Sequence, residues 1–189
     1  MPKPKHIFII MGFLFSLFIV YLYFNSLQEP EHIHSRDDAP QSSSDKSGEL
    51  KNVIEDLEKQ LQDNPENLAI LINLGHVYME SQMYEKAVAI FTRAVKVDPR
   101  SAEANTDLGI ALKNAGRVEE GLRYLEKATK EFPDYPEAWL QLGALYRFDL
   151  KQNRKALDSF KKFLALEKQS ELVPRVQEEI KRIEQEMNP

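Results

Sequence analysis

The chain has no cysteine, which removes thiolate metal sites, disulfides and thiol nucleophiles together. Histidine and carboxylate chemistry is what remains. His32 and His34 lie beside Glu31, Asp37 and Asp38, a donor set with weak chelating potential. They sit in a polar stretch that offers no outer shell to orient ligands, so we read them as solvated. His76 is the one histidine in the region of regular apolar patterning, and no nucleophile or partner acid stands out beside it. There is no Gly-rich phosphate loop, no His-x-x-x-His pair and no elbow-type serine. Other carboxylates fall at i,i+4 from basic residues, as in Glu55 with Lys59 and Glu119 with Arg123, the spacing of solvated helix faces. The expectation is no catalytic residue, no cofactor and no metal. A net charge of -5 argues against non-specific nucleic-acid binding.

The elements that would position any binding residue are periodic. Gly75, Gly109 and Gly143 are evenly spaced, and Pro99 and Pro133 keep the same step. A fixed step of this size marks an array in which each unit is one supersecondary element that cannot bury its apolar face alone. Glycine inside a helix costs about 1 kcal/mol relative to alanine. A cost repeated at one period implies a close approach by a neighbouring helix. Ala87 with Ala94, and Gly121 with Ala128, supply the complementary small positions. Tyr78, Phe91, Trp139, Tyr146 and Phe160 read as core between hairpins rather than as a ligand site.

These positions resemble the tetratricopeptide repeat. Residues 68–101 carry its pattern at Leu71, Leu74, Gly75, Tyr78, Ala87, Phe91, Ala94 and Pro99. Residues 102–135 match at Leu108, Gly109, Leu112, Leu125, Ala128 and Pro133, with Asn105 where a large apolar residue is usual and Gly121 where alanine is usual. Residues 136–170 restore Trp139, Leu142, Gly143 and Tyr146, then need one extra residue to place Ala156 and Phe160. The extra residue is expected in the inter-helix turn, Asp149 to Asn153.

Residues 48–64 read as a capping helix built like the second half of a unit, with Pro65 in register with Pro99 and Pro133. Residues 171–187 read as a second cap. Its apolar stripe is Leu172, Val173, Val176, Ile180, Ile183 and Met187; Arg175, Glu178, Glu179, Lys181 and Arg182 form a solvated face. The resemblance implies an all-α fold: a right-handed superhelical array of about three helical hairpins with capping helices.

The resemblance also places a partner groove on the concave face, lined by each unit's first helix. The matching residues are Ile72, Asn73, His76 and Met79; Thr106, Asp107, Ile110 and Lys113; and Leu140, Gln141, Ala144, Arg147 and Phe148. Ile72, Met79, Ile110, Leu140 and Phe148 are apolar residues expected to be partly wet, as at an interaction site, unless the C-terminal helix folds over them. Family members that capture acidic chaperone C-termini carry lysine, asparagine and arginine where this chain has Ile72, His76, Asp107, Glu137 and Gln141. Two of these are acidic, and Lys113 and Arg147 read as isolated cations. The implied ligand is an apolar or amphipathic protein segment.

Upstream of the array, the run from Ile7 to Phe24 carries no charged residue. As a helix it would extend roughly 27 Å, enough to cross the hydrocarbon core. A cleaved signal peptide is the alternative. The run ends in Tyr21, Tyr23 and Phe24, which suit a membrane interface better than a peptidase site. Lys3 and Lys5 precede it and acidic residues follow it, so residues 1–6 are expected in the cytoplasm and the repeats outside it. Residues 25–47 are polar, with two prolines and a serine run, and read as a tether with a reach of roughly 25 Å. The favoured reading is a membrane-tethered scaffold that binds a protein or peptide, on the periplasmic side of a bacterial inner membrane. The alternatives are an organelle-targeting receptor with cytosolic repeats and a self-assembling structural element.

Overall fold

The structure is a computed structural model that describes residues 43–188, with side chains from Gly48 onward. Within them the fold is all-α: α1 (Ser43–Asp63), α2 (Leu68–Glu80), α3 (Tyr84–Val97), α4 (Ala102–Asn114), α5 (Val118–Glu131), α6 (Pro136–Ala144, continued by a π-turn at Leu145–Asp149), α7 (Asn153–Leu166) and α8 (Leu172–Met187). No helix among the described residues is long and apolar enough to cross a membrane. The apolar run 7–24, the cytoplasmic stretch 1–6 and most of the tether lie outside the described residues. The first helix begins at Ser43, ahead of the expected boundary at 48.

Local chemistry repeats with the period. The first helices of units one and two are capped alike: Asn67 Oδ1 accepts from the Ile70 amide at 3.2 Å, and Ser101 Oγ accepts from the Ala104 amide at 3.1 Å. The third has no side-chain cap and starts on Pro136, whose missing N–H is no loss in a first turn. Each hairpin then turns through one residue of positive φ: Gln82 (58°), Gly116 (82°) and Lys151 (56°).

The expected lengthening of the third turn is corrected. All three hairpin turns have the same length, spanning 81–83, 115–117 and 150–152. The additional residue is absorbed one turn earlier, inside α6, as the π-turn. Met83 and Arg117 donate their amides to the carbonyls of Tyr78 and Leu112; Gln152 reaches one position further back, to Tyr146.

The glycines mark close approaches. A Cβ on Gly75 would meet the Phe91 ring at 2.5 Å, and one on Gly143 the Phe160 ring at 2.6 Å. In the middle hairpin a Cβ on Gly121 would meet the Gly109 carbonyl oxygen at 2.7 Å. Around these contacts the apolar core falls into two clusters, one built on α1–α4 and one on α5–α8. Buried Asn105, Thr106 and Thr129 belong to the middle hairpin, between them.

The two caps continue the pattern. The Tyr78 hydroxyl donates to Glu58 of α1, and the Tyr146 hydroxyl donates to Glu126 of α5, at the same sequence separation. Lys86 lies over the Tyr78 ring at 5.2 Å and Lys155 over the Tyr146 ring at 5.0 Å. Helix α1 thus occupies the place of a second helix in a preceding unit. At the other end Val176, Ile180 and Ile183 of α8 are buried in the second cluster, each worth about 1.5–3 kcal/mol when fully removed from water.

Candidate partner groove

The expected groove residues divide by position. Met79, Ile110, Leu140 and Ala144 are half-buried, Asn73 and His76 are exposed, and Phe148 is 56% exposed. Two expectations are corrected. Ile72 is only 6% exposed and belongs to the first core cluster, and Thr106 is fully buried with no partner for its hydroxyl. These two positions are equivalent in successive units, and core packing takes both. Asp107, Lys113, Gln141 and Arg147 are half-buried.

Between units one and two, His76 Nε2 lies 2.8 Å from Asp107 Oδ2. The partner acid not evident in the linear sequence is therefore supplied by the next unit. Donor atoms of His76, Glu103 and Asp107 come within 4.8 Å of one another, close enough to share a cation. The hydrogen bond to the Asp107 carboxylate raises the His76 pKa; partial burial opposes this, and the charges of Asp107 and Glu103 add to it. The Phe91 ring lies 5.6 Å from the imidazole, tilted at 60° to it. Tyr135, at the start of α6, belongs to the same neighbourhood. Its phenol is pushed up to about 12, first by burial and then by the carboxylates of Asp107, Glu103 and Glu137. This half of the groove is thus negatively charged.

At the other end Arg147 is not an isolated cation. Its guanidinium donates to Glu179 Oε1 at 2.6 Å, to both carboxylate oxygens of Glu186 at 2.7 Å and to Asn153 Oδ1 at 2.8 Å. Both Glu residues lie on α8, 32 and 39 positions away. These bonds raise the Arg147 pKa and hold the Glu186 carboxyl down at about 2. Glu179, expected on the solvated face of α8, has only 14% of its side chain exposed. The C-terminal helix is thus clamped beside unit three's first helix. Between them remains a groove of about 360 Å³ lined by Leu140, Ala144, Phe148, Leu172 and Val176, with charges at its rim.

Substituted repeat positions keep their function by other means. Trp139 Nε1 donates to the Pro133 carbonyl at 2.8 Å, and Asn105 Nδ2 donates to the Pro99 carbonyl at 3.1 Å. Asn105 also reaches the Ser101 carbonyl at 2.8 Å, while its own Oδ1 is buried without a partner. Arg93 takes the equivalent Pro65 carbonyl at 2.9 Å.

Comparison with known proteins agrees with this geometry. Tetratricopeptide repeat family models match residues 46–108, 79–144 and 136–170. The "Protein CTR9 homolog" of Arabidopsis thaliana is 34% identical over 125 residues, which are 63% of this chain and 11% of that protein. The chain therefore spans only a small part of that relative's length. Among solved structures, "Crystal structure of MamA" superposes with a TM-score of 0.64 at 23% identity, covering 77% of this chain and 85% of that one. The "First TPR of Spaghetti (RPAP3) bound to HSP90 peptide SRMEEVD" superposes with a TM-score of 0.57 at 20% identity, covering 65% and 94%. Both show the fold. With family models spanning residues 46–170 and the hairpins, glycines and caps in place, the chain belongs to the tetratricopeptide repeat family.

Proposed function

We propose that this chain is a non-enzymatic scaffold that binds a segment of another protein in the groove formed by α2, α4 and α6. The observation that carries the reading is the set of part-exposed apolar side chains on the first helices, Met79, Ile110, Leu140 and Phe148, the last two lining a groove beside α8. A solved relative of the same fold, the first repeat domain of Spaghetti, is described with a bound peptide, which supports the mode of binding. In our reading residues 7–24 anchor the scaffold in a membrane, with the short N-terminus in the cytoplasm and the repeats on the other side, in envelope or complex assembly.

A photo-crosslinking residue at Ile110 in intact cells tests the groove, with exposed Lys181 on α8 as control. A discrete partner captured only from Ile110 is expected. Crosslinks to the chain's own residues, or equal capture from both positions, would discard the groove reading. Orientation has its own test: a reporter active only in the cytoplasm, fused after Pro189, should be silent. Activity there would favour the targeting-receptor alternative with cytosolic repeats.

A further inference from the structure

The chemistry of the groove selects its occupant. Its carboxylates come from separate elements: Glu103 and Asp107 of α4 bring their oxygens within 4.8 Å of each other and of the His76 ring, and Glu137 opens α6, which packs against α4. Facing them from α2 is His76, which offsets at most one of the three charges when protonated. The cations lie elsewhere or are occupied, Arg175 and Arg182 lining the cleft beside α8. Arg147 is held by Glu179 and Glu186, and Arg182 by Glu178 at 2.7 Å and Glu179 at 3.5 Å. Lys113, one turn of α4 beyond Ile110, is the remaining basic residue among the expected groove positions. The next first helix, α6, is in contact with α4 and opens onto the apolar groove at Leu140, Ala144 and Phe148. An acidic face therefore adjoins an apolar cleft, and neighbouring helices lie about 8–10 Å apart. That separation is within the reach of one short segment.

We propose that the groove takes a basic amphipathic segment of another protein, with lysine or arginine side chains on Glu103, Asp107 and Glu137 and an apolar side chain between α6 and α8. The proposal rests on the groove being a partner site and adds the sign of the ligand. An acidic C-terminal tail would meet like charge here, which costs affinity and association rate alike. A basic segment gains attraction that salt screens over about 8–10 Å.

The test uses the full-length chain in neutral detergent and two fluorescently labelled amphipathic helical peptides. They share one apolar face and differ only in carrying lysines or glutamates. Anisotropy should show the lysine peptide binding about tenfold or more tightly than its twin. Raised salt should shrink that difference. Glu103→Lys should abolish the preference, and Ala144→Arg, which fills the apolar cleft, should weaken both peptides. Circular dichroism checks that each variant is folded. Equal binding of the two peptides, with Ala144→Arg still weakening both, overturns the charge selection and leaves the groove standing. Binding of neither peptide, or binding that ignores Ala144→Arg, overturns both. Light scattering on the same samples watches for a second copy as occupant. An assembly that Glu103→Lys dissolves would also overturn the proposal.

Discussion

The outer hairpins and the middle hairpin solve the same packing problem with different atoms. In the outer two, a first-helix glycine faces a phenyl ring, and a tyrosine is held between a glutamate and a lysine. In the middle one, Gly109 faces Leu125 and backbone meets backbone at Gly121, while Leu112 and Thr92 stand where the tyrosine and glutamate would be. The outer hairpins are thus fitted by side chains that can adjust. The middle one is fitted by main chain that cannot. Its first helix also carries the buried polar pair Asn105 and Thr106 and, facing the groove, the acidic face. The joint between the two apolar clusters depends on closeness more than on apolar mass.

The largest expected effect breaks that closeness. Gly121→Ala installs the residue found at Ala87 and Ala156 in the outer hairpins, yet its methyl group would lie 2.7 Å from the Gly109 carbonyl oxygen. We expect a loss of about 3 kcal/mol in chemical denaturation, despite alanine's better helix propensity. Gly75→Ala should cost less, about 2 kcal/mol, because the Phe91 ring can turn aside. Phe91→Leu should relieve the Gly75→Ala loss in a double-mutant cycle. Equal costs for the two glycines, or no relief, would erase the distinction between ring-fitted and backbone-fitted hairpins.

A second experiment separates the two outer hairpins, since only the third is clamped by a terminal helix through an arginine. Arg147→Ala should speed amide exchange in α8 about tenfold or more and leave α2–α5 protected. Acid should act in the same way. Glu186, lowered from 4.5 to about 2, contributes stability that is complete above pH 4.5 and is lost as pH falls toward 2. Exchange in α8 measured across that window should rise before exchange in α3; simultaneous opening would show one cooperative array instead.

Smaller effects sharpen the likeness of the outer pair. Tyr78→Phe and Tyr146→Phe should each cost about 1 kcal/mol, the net worth of a hydrogen bond to a carboxylate after partial exposure. A twofold disparity in thermal unfolding would mean that α1 is a weaker partner than α5. The smallest change concerns the turns. Gln82→Gly and Lys151→Gly should each stabilise the chain by about half a kcal/mol, since both residues hold the left-handed conformation that Gly116 adopts without strain. No gain at either would show that their side chains contribute as much as the strain removes.

The hairpins are legible in the sequence because glycine, proline and aromatic spacing report helix contacts that recur once in every unit. Two buried positions are not. Ile72 and Thr106 occupy groove register in the linear pattern, but whether a first-helix residue faces solvent or core depends on how the helices pack around it. His76 and Asp107 both fall on the groove in that pattern, and their pairing follows once adjacent first helices are laid side by side. The role of Arg147 is hidden, because its partners stand 32 and 39 positions away on a helix whose rotation only the fold determines. The extra residue of the third unit can be counted in the sequence but not placed. Residue counting cannot tell a longer loop from a helix that widens its hydrogen-bond step by one.

That widened step is a phase slip confined to a single helical turn. Before it, units one and three are in strict register, with Tyr146 answering to Tyr78. After it, Lys155 answers to Lys86 from one position further along the chain and still lies over its tyrosine. The pairing of the two helices within a hairpin is therefore uncoupled from their separation along the chain. A hairpin of this kind can gain a single residue and keep its lysine–tyrosine contact, and any comparison that trusts a rigid, evenly graduated ruler will misname the positions downstream of Tyr146.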